Sequence, residues 1–114
     1  MIGTDIENIE RFKNLFVNKN KILKKMFNES EWDYAVSKAN PAQTLTGIWC
    51  AKEAVLKALH PNYQIFIRDI TVKHKITGQP YVELNCDEIN SEIIHISISH
   101  SKDYATAVAL ISKL

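Results

Sequence analysis

Apolar residues at Ile9, Phe12, Leu15 and Phe16 recur three and four positions apart, the period of a helix with one buried face. Residues 1–5 before them read as a short strand. Asp5, Glu7 and Asn8 suit the start of that helix, where side-chain oxygens cap free amides and acidic groups meet the positive end of the dipole. Ile22, Leu23, Met26 and Phe27 predict a second short helix. Ser30 followed by Glu31 and Asp33 marks a third helix start, running toward Ser37. Asn40-Pro41 opens a longer helix that ends near His60-Pro61, because proline is tolerated in a first helical turn but not inside a helix.

The period then changes. From Ile65 to Lys75, Ile70, Val72 and Ile76 alternate with Thr71 and Lys73, as in a strand. Gly78-Gln79-Pro80 is a turn, and Tyr81, Val82 and Leu84 are the return strand of a hairpin. After a polar stretch from Asn85 to Glu92, Ile93 to Ser99 and Tyr104 to Ile111 predict a second hairpin. Helices first and strands second make an α+β fold, with an antiparallel sheet packed against a long central helix. No repeat or linker divides the chain, so residues 1–114 are expected to form one domain.

The stretch from Thr44 to Leu59 carries the most information. Leu45, Ile48, Trp49, Val55, Leu56 and Leu59 share one broad helical face. Gly47, Ala51, Ala54 and Ala58 share the opposite one, where small side chains let a sheet approach. Such a helix belongs at the centre of the fold. Its charges are Lys52, Glu53 and Lys57, with Lys52 near the middle of the apolar stripe. Buried charges need partners. Glu53 and Lys57 can pair with each other at i,i+4. Alternatively, one carboxylate and two ammonium groups line a site for a divalent metal and a phosphate-bearing ligand, since magnesium takes few carboxylates along with waters and phosphate oxygens. Asp5 is either the second carboxylate of such a site or a helix cap.

Along the late strand, Ile94, Ile96 and Ile98 point one way, and His95, Ser97 and Ser99 the other, with His100 at the turn. That polar face can bind phosphate, move protons or meet water. No nucleophile elbow accompanies it. The spacing of His95 and His100 is not that of a metal-ligand pair.

Composition narrows the choice. Of the 114 residues 46% are hydrophobic and 24% charged, the balance of a globular protein. A net charge of +1 excludes whole-molecule polyelectrolyte binding. No apolar run nears the ~20 residues of a membrane span, and nothing at residues 1–5 resembles a signal peptide. The expected setting is the cytoplasm, with Cys50 and Cys86 as reduced thiols. One bias survives the averaging. Arg11, Lys13, Lys19, Lys21, Lys24 and Lys25 fall in a stretch to Asn28 that holds no Asp or Glu. A basic face of this kind suits an acidic partner or solvent alone. Against nucleic acid stands the lack of an aromatic-rich strand platform and of a recognition motif.

Four segments, in order, resemble the holo-acyl-carrier-protein synthases, the short branch of the 4′-phosphopantetheinyl transferases. They are Ile2-Gly3-Thr4-Asp5-Ile6 with Ile9-Glu10-Arg11-Phe12; Trp49-Cys50-Ala51-Lys52-Glu53-Ala54 with Lys57-Ala58; Gly78-Gln79-Pro80 with Val82; and His95-Ile96-Ser97-Ile98-Ser99-His100 with Ala105, Ala107 and Val108. The resemblance spans residue 2 to about residue 111. It implies the fold of that family and transfer of 4′-phosphopantetheine from coenzyme A to a serine of an apo acyl carrier protein, with Mg2+ required and adenosine 3′,5′-bisphosphate released. By motif position, Asp5 and Glu53 would hold the metal. Glu53, or a water it positions, would help deprotonate the serine. Lys57 would stabilise charge on the phosphate, with Lys52 nearby. Gly78, Pro80, His95 and Ser97 would line the coenzyme cleft. Arg11, with Lys24 and Lys25, would meet the acidic carrier. The family implies a homotrimer with sites between protomers. Ile48 stands where the family usually has arginine, and His60-Pro61-Asn62-Tyr63 replaces a glycine-containing loop. The alternative reading is a member that binds coenzyme A or a carrier without efficient transfer.

Overall fold

The structure is a computed structural model and describes residues 1–112; positions 113 and 114 of the expected domain lie outside the described residues. Strand β1 (Ile2–Asn8) leads into helices α1 (Ile9–Asn18), α2 (Asn20–Lys24), α3 (Glu29–Val36) and α4 (Pro41–Leu59). Strands β2 (Ile70–His74), β3 (Pro80–Leu84), β4 (Ile94–His100) and β5 (Tyr104–Ile111) follow. All pairing is antiparallel: β1, β5 and β4 form one sheet in that order, and β2 and β3 form a separate hairpin.

Helix α4 is the centre of this α+β fold. Leu45, Val55 and Leu59 are fully buried on one side, and Ala51, Ala54 and Ala58 are buried under the sheet on the other. The small face does what its side chains allow. A Cβ on Gly3 of β1 would run into the Ala54 carbonyl oxygen and come within 2.8 Å of Ala58 N. One on Gly47 would meet Ile98 of β4 at 2.9 Å.

Expected boundaries move: α2 ends at Lys24, which leaves Met26 and Phe27 in the turn after it. The first strand continues to Asn8, whose Oδ1 accepts the Glu10 amide at 2.8 Å and caps α1. Asp5 and Glu7 are therefore strand residues, and the cap proposed for Asp5 falls to Asn8. The strand expected from Ile65 begins only at Ile70, after a 3-10 turn at Ile67–Asp69 in which Asp69 Oδ2 accepts the Phe66 amide.

β1 inverts the usual amphipathic pattern. Gly3, Asp5 and Glu7 face α4, while Ile2 and Ile6 are 65% and 64% exposed. Leu110 and Tyr104 of β5 pair with Ile2 and Asn8, and both are 49% exposed on the same outward side. This sheet face therefore carries apolar residues with nothing over them in the single chain.

Candidate active site

Asp5 sits mid-strand opposite Ala107, and its side chain reaches the last turns of α4. Lys57 Nζ lies 3.0 Å from Asp5 Oδ1 and donates to the Thr4 carbonyl oxygen at 3.0 Å. Lys57 thus turns to β1, not to Glu53, and the i,i+4 pairing is not formed. Asp5 Oδ2 is buried without a hydrogen-bond partner. The half-buried Glu53 carboxyl is pushed above its usual range by burial and by the charge of Asp5; Lys57 opposes the rise and Glu7 adds to it. Two carboxylates thus converge with one ammonium group between β1 and α4. The raised Glu53 marks a place where negative charge is under-compensated.

Those residues fit a hard divalent cation: the donors are carboxylate oxygens, one of them buried and free. Among the described residues no group of three or more His, Cys, Asp or Glu side chains is arranged to hold a metal. Asp5 and Glu53 would need phosphate oxygens and water to complete the coordination, which is magnesium's habit.

Lys52 corrects the sequence reading. It is 1% exposed and lies 2.7 Å from Glu31 of α3, itself fully buried. A lysine beneath the apolar stripe is tolerable only when paired, and its partner occupies the interior. It does not line the cleft.

The expected coenzyme residues gather elsewhere. Gly78, Pro80 and Ser97 line a cavity of about 450 Å3 between α4, the β2–β3 turn and β4. Pro80 and His95 line a second, also about 450 Å3, along the β3–β4 gap. Gly78 has φ 91°, a conformation that a side chain would strain. Three residues of the first cavity were not foreseen. Tyr34 and His74 stack with ring centroids 3.8 Å apart and 4° between planes, and Gln43 Nε2 lies 2.6 Å from His100 Nδ1. His74 Nδ1 is buried without a partner, and burial, with Lys38 nearby, pushes its pKa down. The stack joins residues forty apart in sequence, so no local pattern announced it. Ile48, 1% exposed, lines the same cavity.

Neither cavity is lined by Asp5, Glu53 or Lys57. Asp5 belongs to one edge strand of the sheet and points inward; His95 and Ser97 belong to the other and point outward. Arg11, Lys24 and Lys25 are exposed. Arg11 Nη1 lies 2.9 Å from Glu7 Oε1, which places this cation beside the acidic cluster. The stretch His60–Tyr63 closes α4 in a compact turn, with the His60 and Tyr63 amides donating to Leu56 and Leu59 carbonyls. No helix among the described residues is long and apolar enough to cross a membrane.

A family model described as the 4′-phosphopantetheinyl transferase superfamily matches residues 1–109. A holo-[acyl-carrier-protein] synthase of Thermodesulfovibrio yellowstonii is 38% identical over 97% of this chain and 96% of its own. The crystal structure of the Helicobacter pylori holo-[acyl-carrier-protein] synthase in complex with coenzyme A is similar at TM-score 0.78 and 29% identity, covering 98% of this chain and all of that one. That of the Bacillus anthracis synthase with CoA (3′,5′-ADP) is similar at TM-score 0.77 and 28% identity, covering 96% and 93%.

Proposed function

The chain belongs to the 4′-phosphopantetheinyl transferase superfamily, and from that footing we propose that it transfers 4′-phosphopantetheine from coenzyme A to a serine of an apo acyl carrier protein. The observation that carries this reading is the convergence of Asp5, Glu53 and Lys57 between β1 and α4. In the reaction the serine oxygen forms a bond to the phosphorus bearing the pantetheine arm. The bond from that phosphorus to the bridging oxygen breaks, and adenosine 3′,5′-bisphosphate leaves. Glu53, beside Asp5 and Lys57, accepts the serine proton directly or through a water it orients. Lys57 has three protons, two of them held by Asp5 and Thr4, and the remaining one is left to donate to a phosphate oxygen. A magnesium ion held by Asp5 and Glu53 would supply neutralisation of diphosphate charge.

The cavities bounded by Gly78, Pro80, His95 and Ser97 serve as the coenzyme cleft in this reading, and Arg11, Lys24 and Lys25 as the surface for an acidic carrier. Because the acidic cluster and the outward residues of β4 lie on opposite edges and faces of one sheet, a complete site draws on two protomers. The uncovered Ile2, Ile6 and Leu110 supply an apolar surface for that assembly, as a homotrimer.

Intact-mass analysis of an apo carrier incubated with this protein, coenzyme A and magnesium tests the reading. A gain of one phosphopantetheine, lost with chelator, supports it. No gain despite coenzyme A binding leaves a member that binds without efficient transfer.

A further inference from the structure

Glu31 and Lys52 are the fully buried charged side chains among the described residues, and no step of the transfer uses them. The Glu31 carboxylate has further partners. Its Oε1 accepts the Asn28 amide at 2.8 Å, and its Oε2 accepts the Val72 amide at 2.8 Å. Val72 is the middle residue of β2, and β2 has a strand neighbour on one side only. Beside it, Asn28 Nδ2 donates to the Ile70 carbonyl at 3.3 Å and to Thr71 Oγ1 at 2.6 Å. Side chains from the start of α3 thus stand in for a missing strand along the free edge of β2. Tyr34, one turn along α3 from Glu31, stacks on His74, two residues along β2 from Val72.

Among the described residues the other edge of the hairpin is held by a side chain only at its Leu84 end, where that amide donates to Ser91 Oγ at 2.9 Å. β3 runs beside β4 without ladder pairing, and both cavities open there. The wall that carries Gly78 and Pro80 is fixed from behind, by α3. Lys52 in turn ties Glu31 to α4, one residue before Glu53.

We propose that Glu31 is a positioning residue: through Lys52 and the Val72 amide it sets the spacing between the β2–β3 hairpin and α4, and so the width of the coenzyme cleft. This inference rests on reading the two cavities as that cleft.

The test compares the wild-type chain with two double variants. Glu31→Met with Lys52→Met removes both charges together, so no unpaired charge is left inside, but it strips the Val72 amide of its acceptor. Glu31→Gln with Lys52→Met is equally uncharged and keeps an acceptor. The coenzyme KM is expected to rise about tenfold in the first variant and to return most of the way in the second, with the carrier KM within about twofold throughout. Amides of residues 70–84 should exchange faster in the first variant while those of α4 stay protected. An unchanged coenzyme KM in the folded first variant, or equal rises in both KM values, overturns the proposal. If that variant does not fold, the Glu31→Gln, Lys52→Met chain is judged against wild type by the same exchange pattern and KM split. Should the wild-type protein neither bind coenzyme A nor transfer from it, the functional reading fails. The clamp then stands or falls on whether exchange quickens in the hairpin alone.

Discussion

Lys57 reaches across from α4 to Asp5, with Nζ and Oδ1 3.0 Å apart, although Glu53 lies one turn away on its own helix. That choice leaves Glu53 without a direct ion pair to Lys57 and Asp5 with one buried oxygen unspent. Asp5→Ala and Glu53→Gln are each expected to reduce magnesium-dependent transfer at least about a hundredfold while melting temperature stays near wild type. Intact-mass time courses with thermal melts check this; retained turnover in either variant removes these carboxylates from the reaction.

Gly3 offers a stability probe of the same region. Its hydrogen faces the α4 backbone at Ala54 and Ala58, neither of which can swing aside as a side chain would. Gly3→Ala should therefore cost about 3 kcal/mol or more, with β1 displaced from α4, as read by denaturant unfolding.

Cys50 gives a pH dependence. Its thiol is fully buried beneath β5 and donates to the Ala105 carbonyl at 3.3 Å. Burial first, then the charges of Asp5 and Glu7, push its pKa from 9.0 up to about 12. Between those values the unfolded thiol loses its proton and the folded one keeps it. Stability from this group is thus full below pH 9 and falls as pH rises toward about 12, by at most about 1.4 kcal/mol per pH unit. Chemical unfolding at stepped pH should show a shallower decline for Cys50→Ala than for wild type, and parallel curves would contradict the assignment.

Arg11 is exposed and held by Glu7 next to the acidic cluster. Arg11→Glu is expected to weaken carrier binding about tenfold or more, more steeply at low salt, with coenzyme A affinity unchanged. Calorimetry with each ligand separates the two; an equal loss of both would sink the docking role.

A charge on the outward sheet face tests assembly. Leu110→Glu should shift the protein to monomer in light scattering and remove transfer with it, because Asp5 and the β4 residues then have no second protomer to meet. A monomeric variant with full activity would place the whole site in one chain.

Much of this was legible in the sequence, for physical reasons. The period and small-residue stripe of α4 announced a central helix, and Gly78 with Pro80 announced a turn. The partner of Lys52 was not legible. Glu31 lies on a short helix beginning Glu29-Ser30-Glu31, where acidic residues ordinarily face solvent, and only the docking of β2 buries it. Asp5 was misplaced at a helix start because β1 puts its polar residues inward and its isoleucines outward, against the rule for a half-buried strand. Both departures are set by contacts distant in sequence, Glu31 with Lys52 and the Val72 amide and β1 with α4 and β5. That is where local pattern stops being informative.

The pairing of β1 with β5 sets an order of events. Asp5 and its ladder partner Ala107 lie 102 residues apart in sequence. Until residues 104–111 have been made, β1 has no strand beside it, and the carboxylate that Lys57 meets is held only by the packing of β1 on α4. The strand that carries Asp5 is therefore framed on its sheet side only when a segment a hundred residues away closes on it.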